Sequence, residues 1–224
     1  MHVKSFGCSF VWGSEHLDTD LEGAYSKFSH TVWPAILASR LGADYNCYAQ
    51  PGSGNFQIAA AVLDQAASAG SDEIFIIGWT WIDRFDFMIA DEKWRPHWET
   101  ICPIDDHALA TTFYRHIHSE PWNKLRNLMM MNTVLNYLTA RGIRFIMTLM
   151  DELVLDQRWH VTPGISVLQT AIRPHISRFE DMDFLTWSKQ KGHAITSIGH
   201  PLEEAHAAAA DLMQPVIESI LHRV

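Results

Sequence analysis

Three observations make this chain an α/β protein, a three-layer αβα sandwich around a central parallel sheet. Short apolar runs closed by turn residues alternate with longer segments of helical spacing. The segments between those runs are long enough to cross from one parallel strand to the next, which places helices on both faces. Residues 73–78 (Glu-Ile-Phe-Ile-Ile-Gly) form a short apolar run between turn signals, as a buried strand does.

In chain order, residues 2–6 read as a strand stopped by Gly7. Residues 31–41 carry Val32, Ile36, Leu37 and Leu41 at helical spacing and end at Gly42, a C-terminal cap. Residues 43–49 give a second strand. The turn Pro51-Gly52-Ser53-Gly54-Asn55 opens an alanine-rich helix to about Ser68, and strand 73–78 follows. Pro121 begins a helix with Leu125, Leu128, Met129, Leu135 and Leu138 on one side and Gly142 at its end. Residues 144–150 are the next central strand, 164–177 contain a helix, 183–187 give a weaker last strand, and a final helix runs from 201 to about 221. Residues 81–120, rich in Trp, His, Pro and Asp, show little periodicity. They are expected to form an irregular insertion in a single domain spanning 1–224.

Composition excludes several functions. Nine Trp and eleven Phe among 224 residues exclude a disordered chain, because such residues supply the burial that offsets chain entropy. A net charge of -9 with 17 scattered Lys and Arg leaves no nucleic-acid footprint. No apolar run reaches the length that spans a bilayer, and Met1-His2-Val3-Lys4-Ser5 leads into a strand rather than a secretory signal. Cys8, Cys47 and Cys102 are an odd set without metal-like spacing, which fits reduced thiols and a cytoplasmic location. His107, His116 and His118 alternate without a carboxylate or thiol at fixed spacing, so no metal site is expected. The absence of a Gly-x-x-x-x-Gly-Lys run argues against a nucleotide site, and no cofactor is expected.

Parallel sheets of this kind bind ligands beyond the carboxyl ends of their strands. The segments there are Gly7-Cys8-Ser9-Phe10, Pro51-Gly52-Ser53-Gly54-Asn55, Gly78-Trp79-Thr80-Trp81 with Arg84, Asp151-Glu152, and Gly199-His200-Pro201 before the last helix. A serine, permissive glycines and a histidine on one edge are the parts of acyl transfer: a hydroxyl, a base within reach, and donors for the developing oxyanion. Each part also has a plainer use. Ser9 can close a turn, Asn55 can cap a helix, Trp79 and Trp81 can pack, Arg84 can pair at the surface, and His200 can cap the helix that Pro201 begins.

In this order the segments resemble the SGNH (GDSL-type) hydrolases, over nearly the whole chain. Gly7-Cys8-Ser9 resembles the family's Gly-Asp-Ser block, which implies Ser9 as nucleophile. Gly52 resembles the glycine that lends its N–H to the oxyanion hole. Thr80 stands where the family has an asparagine donor, and Ser9 supplies its own N–H. Ser197-Ile198-Gly199-His200-Pro201 resembles the Asp-x-x-His-Pro block, which implies His200 as base, with Ser197 in place of the aspartate. Cys8, Thr80 and Ser197 are the three departures. With the aspartate missing, the group orienting His200 is expected to be Ser197, or Asp151 or Glu152 reaching across from the fourth strand end. Asn55, Trp79, Trp81 and Arg84 are the residues expected to bind substrate. The resemblance implies a flavodoxin-like SGNH fold and a cofactor-independent esterase or deacylase acting on a small acyl ester, an O-acetylated glycan or a metabolite. The same residues would serve an acyltransferase, and the departures would also suit a degenerate protein that binds without chemistry. Residues 81–120 are expected to cover part of the active-site edge.

Overall fold

A computed structural model describes residues 1–19, 27–90 and 96–222. Four parallel strands, β1 (His2–Phe6), β2 (Asp44–Cys47), β3 (Glu73–Trp79) and β6 (Arg144–Leu149), form one sheet in the order β2-β1-β3-β6. The register runs His2 opposite Asp44 and Glu73, and Ile74 opposite Arg144, so the four carboxyl ends lie along one edge.

Alternation along the strands divides the core into two layers. Phe75, Ile77 and Trp79 of β3, with Phe6, Met147 and Leu149, pack against helices α3 (Asn55–Ala67), α5 (Glu120–Ala140) and α6 (Pro163–Ile172). Ile74, Ile76, Val3 and Ile146 face the other way, onto α2 (Trp33–Arg40), α7 (Phe184–Lys191) and α8 (Glu203–Leu221). Each layer is a cluster of buried apolar residues, and this double burial accounts for the apolar composition of β3.

Two expectations are corrected here. Residues 183–187 do not form a strand. Asp183 accepts a hydrogen bond from Thr186 N at 2.8 Å and so caps α7, whose buried Phe184, Trp187 and Ser188 sit at helical spacing. Beside β6 the chain instead places a single bridge, Met147 with Ile176, reinforced by Ser177 N donating to Met147 O at 2.8 Å.

Residues 81–120 are not irregular throughout. Strands β4 (Phe85–Ala90) and β5 (Pro96–Ile101) pair antiparallel, and α4 (Ala108–His116) follows; residues 91–95 lie outside the described residues. Ile101, Ala110 and Phe113 form a small core of their own with Phe85, Phe87 and Tyr114. His107, weighed above as a metal ligand, caps α4 by accepting from Ala110 N. The hairpin is fastened to the start of α3 by buried Asp86, which accepts from Gly54 N (2.9 Å), Gln57 N (3.0 Å) and Thr100 Oγ1 (2.6 Å). Its Trp98 lines a hollow of about 170 Å³ shared with Gly7, Tyr48, Gln50 and Ser53, at the carboxyl ends of β1 and β2. The insertion therefore borders the sheet edge where the functional segments gather.

Candidate active site

The first strand delivers Ser9 through a tight turn into the four-residue helix α1 (Ser9–Trp12). Two glycines let that helix settle on the strand ends. A Cβ on Gly7 would stand 2.5 Å from Val11 Cγ2, and one on Gly78 would stand 2.8 Å from the same atom. Any side chain at either position would lift α1, and Ser9 with it.

His200 arrives from the other end of the chain, in the turn before α8. The turn is closed by Thr196 N donating to His200 O (2.9 Å) and His200 N donating to Thr196 Oγ1 (3.1 Å). The His200 Nε2 atom lies 2.9 Å from Ser9 Oγ. Phe10 stands perpendicular to the imidazole at 5.4 Å between centroids, and Trp81 meets the Phe10 ring edge-on at 5.5 Å. These contacts leave the ring little freedom to turn.

The group at Nδ1 is one that the sequence reading missed. Glu15 Oε2 lies 2.6 Å from His200 Nδ1 and also accepts from Thr196 Oγ1 at 2.7 Å. Partial burial works against ionisation of Glu15, but the hydrogen bonds from Thr196 and His200 prevail and lower its pKa. An ionised carboxylate can only accept, so Nδ1 carries the proton and Nε2 presents its lone pair to the Ser9 hydroxyl. Glu15 reaches this position from a left-handed backbone, φ 69°, a conformation a glutamate adopts only when its surroundings compel it. Adjacent His16 is one such constraint. Its ring is buried, bonded through Nδ1 to Thr31 Oγ1 (2.7 Å) and Ser29 Oγ (3.1 Å), and its Nε2 lies 3.3 Å from Pro201 O.

The expected orienting groups lie elsewhere. Ser197 is exposed, and its neighbour Thr196 is the residue that touches the carboxylate. Asp151 accepts from Leu153 N at 2.7 Å within its own turn. Glu152 pairs with Arg178 at 2.5 Å. Neither approaches His200, because the β6 end is separated from β1 by β3.

The donors for an oxyanion are only partly as expected. Gly52 has φ 84°, open space around it and an exposed position in the loop after β2; the left-handed backbone is the reason for glycine there. Thr80 is buried, its N–H donating to Asn55 Oδ1 at 2.8 Å, while its hydroxyl has no partner. Any contribution from Thr80 must come through that hydroxyl.

Asn55 is neither a ligand contact nor a cap. Gly54 is the N-cap of α3, and the buried Asn55 amide bonds both backbone groups of Thr80 and Asn127 Oδ1. It splices the end of β3 to the start of α3. Trp79 is completely buried among core residues and cannot meet a substrate. Trp81 is half-buried, with the Arg84 guanidinium 4.9 Å from its ring centroid. Arg84 donates to Ser53 O at 2.7 Å, tying the Gly52 loop to the β3 end. Cys8, adjacent to Ser9, is fully buried with its Sγ 3.4 Å from Met150 Sδ, so it packs rather than faces a ligand.

No protein-family model matches the chain, and no curated protein matches it. Solved structures do. The chain is similar to the psychrotrophic esterase EstA from Pseudoalteromonas sp., at 10% identity and a TM-score of 0.53, over 99% of both chains. It is similar to a carbohydrate esterase family 2 enzyme with a carbohydrate binding domain from Corynascus thermopiles (Myceliophthora fergusii), at 12% identity and a TM-score of 0.54, over 98% of this chain and 66% of that one. It is also similar to the acetyl xylan esterase Est2A from Butyrivibrio proteoclasticus, at 12% identity and a TM-score of 0.51, over 98% of this chain and 64% of that one. The chain thus spans about two thirds of those two carbohydrate-esterase chains and nearly all of EstA. Identity at this level speaks to fold alone, and the fold is that of the SGNH (GDSL-type) hydrolases.

Proposed function

We propose that this protein is a serine ester hydrolase of the SGNH type, with Ser9 as nucleophile, His200 as general base and Glu15 as the carboxylate partner of His200. One observation carries the reading: the unbroken run Glu15 Oε2 to His200 Nδ1 at 2.6 Å and His200 Nε2 to Ser9 Oγ at 2.9 Å. A hydroxyl becomes a competent nucleophile when a base removes its proton during attack, and a base works best when its tautomer is fixed.

In the first step Ser9 Oγ bonds to the ester carbonyl carbon while its proton passes to His200 Nε2. The carbonyl π electrons move onto oxygen, and the N–H groups of Ser9 and Gly52, with the Thr80 hydroxyl, are the donors proposed to hold that charge. Glu15 steadies the imidazolium without taking its proton. When the tetrahedral centre collapses, the bond to the alcohol oxygen breaks and the alcohol leaves with the proton from His200. Water then repeats the sequence on the acyl-serine, giving a carboxylic acid and free Ser9.

The hollow of about 170 Å³ beside Gly7 and Ser53, with Trp98 over it, suits a small acyl group rather than a long chain. The free state of Cys8, Cys47 and Cys102 is consistent with a cytoplasmic setting. None of the described helices is long and apolar enough to cross a membrane. A degenerate, binding-only protein was an alternative while the histidine lacked a carboxylate; Glu15 removes that ground for it.

An active-site-directed fluorophosphonate tests the reading. The adduct is expected on Ser9 by mass spectrometry and absent from Ser9→Ala, which also loses esterase activity. Full activity of Ser9→Ala, or no labelling of the native protein, would overturn it.

A further inference from the structure

Three consecutive residues of the segment after α1 meet the segment that carries His200. Glu15 Oε2 takes the bonds from His200 Nδ1 and Thr196 Oγ1, at 2.6 and 2.7 Å. The next residue, His16, places its Nε2 3.3 Å from Pro201 O. The one after, Leu17, donates its backbone N–H to Glu203 Oε1 at 2.8 Å. Residues 15, 16 and 17 therefore run in step with residues 200, 201 and 203, across 185 to 186 positions of sequence.

The three contacts differ in what they hold. Glu15 belongs to the proposed relay from Glu15 through His200 to Ser9. At His16 the partner is a carbonyl, which only accepts, so Nε2 carries the proton and Nδ1 accepts from the Thr31 and Ser29 hydroxyls. Its ring is buried beside His206 and is part of the core. At the far end, the Leu17 side chain is 98% exposed, so packing cannot fix that residue. The bond to Glu203, the first residue of α8, does. Partial burial opposes ionisation of Glu203, but the bonds from the Leu17 N–H and from its own N–H prevail and lower its pKa. The acceptor is thus a carboxylate, and a bond to a charged acceptor is among the stronger ones.

Glu15 needs a hold of this kind. Its left-handed backbone, φ 69°, would relax to an ordinary conformation if the segment were free, and its carboxylate would leave Nδ1. A shift of about 1 Å in a reacting group costs about a hundredfold in rate.

We infer that Glu203 is a positioning residue of the relay: through the Leu17 N–H it anchors residues 15–17 and so keeps the Glu15 carboxylate on His200 Nδ1. The inference rests on the ester-hydrolase reading. Glu203 acts through Glu15, not on the reacting atoms.

Two measurements on the full chain test it: steady-state kinetics with nitrophenyl acetate, and the proton resonance of His200 Nδ1–H, which a carboxylate partner moves far downfield of the amides. Glu203→Ala should lower kcat by about tenfold to a hundredfold, change KM by less than about twofold, and shift or broaden the resonance. Glu203→Gln keeps an acceptor for Leu17 N and should recover kcat to within about threefold of wild type. Glu204→Ala removes the neighbouring carboxylate from the same helical turn and should match wild type, which separates the bond from the charge at the helix start. Leu17→Pro deletes the donor instead of the acceptor. It lies second in the turn closed by Thr19 N donating to His16 O at 3.2 Å, a place proline suits, and it decides the question if Glu203→Ala does not fold. Wild-type kcat with an unmoved resonance in Leu17→Pro or Glu203→Ala, an equal loss in Glu204→Ala, or no recovery in Glu203→Gln would overturn the inference. The resonance is read without substrate, so a failed fluorophosphonate test leaves its result standing. An unmoved resonance, in turn, leaves the Ser9 reading standing.

Discussion

Glu15 and His200 meet at 2.6 Å across 185 positions of sequence, and the glutamate comes from the segment of Ser9 rather than from the histidine's. The orienting group expected at Ser197, Asp151 or Glu152 is instead a carboxylate six residues after Ser9. The pair faces the same direction chemically: an acceptor on Nδ1 that fixes the tautomer and bears the imidazolium charge.

Glu15→Gln should therefore cut turnover of a nitrophenyl acetate by about 10³–10⁴-fold, the scale on which removing the charge from a related triad acts. KM should change far less, since Glu15 does not line the hollow beside Gly7. Steady-state kinetics on the two variants Glu15→Gln and Ser197→Asp separate the assignments: a wild-type rate in Glu15→Gln with a faster Ser197→Asp would return the role to the 197 position.

The buried pair His16 and His206, with ring centroids 4.7 Å apart, should make the fold sensitive to acid. Burial lowers the pKa of both, that of His206 well below the ordinary 6.5; for His16 the nearby Glu203 and Asp18 oppose the effect and His200 adds to it. With folded values below the unfolded one, the unfolded chain binds more protons between them. Stability is then fully present above about pH 6.5 and falls as the pH drops below it. Melting temperature recorded across that range should decline toward acid, and His206→Asn, which keeps an acceptor for Trp33 N, should flatten the decline.

Asp151 carries the opposite sign. Burial foremost, then the neighbouring carboxylates Asp183, Asp83 and Glu152, push its pKa up from 3.8 to about 6. A folded value above the unfolded one means stability present below about pH 3.8 and lost as the pH rises through about 6. Asp151→Asn should stabilise the protein at neutral pH by on the order of 1–2 kcal/mol, a few degrees in melting temperature, and by much less near pH 4. Esterase turnover should stay within about twofold of wild type. A tenfold loss would place Asp151 back in the reaction.

Gly78→Ala should cost about 1–3 kcal/mol by pressing a methyl into Val11, and should slow the esterase by displacing α1. Val11→Ala relieves the clash, so the double variant should be more stable than the sum of the two single losses allows. Strict additivity in denaturant titrations would show that the two positions do not press on each other.

Much of this was legible in the chain because it rests on local rules. The apolar runs of β1, β3 and β6 and the spacing of α5 gave the three-layer fold, and Ser9 and His200 stand out as the polar residues that follow a strand and precede a helix. The hairpin carried a readable sign that composition obscured: Phe85 and Phe87 flank a polar Asp86 within a run rich in strand-forming residues. Asp183 before Phe184 and Trp187, with Gly192 at the end, was likewise a helix signature that a short apolar run concealed. Glu15 had no such sign. Its position depends on a left-handed backbone held by contacts to residues 29–31 and 196–201, and no short-range pattern encodes contacts so distant. The same holds for Asn55, whose amide serves a strand end 25 positions away.

The spacing of the three groups also orders events in time. Serine and glutamate are translated together, near the start of the first crossover, while the imidazole follows only after all four strands of the main sheet. A growing polypeptide therefore carries an inert hydroxyl and a stray carboxylate through almost the whole of its synthesis. Under the proposed relay, hydrolysis is expected only once the 196–201 turn meets the 9–16 segment, so the first turnover would report that contact during refolding.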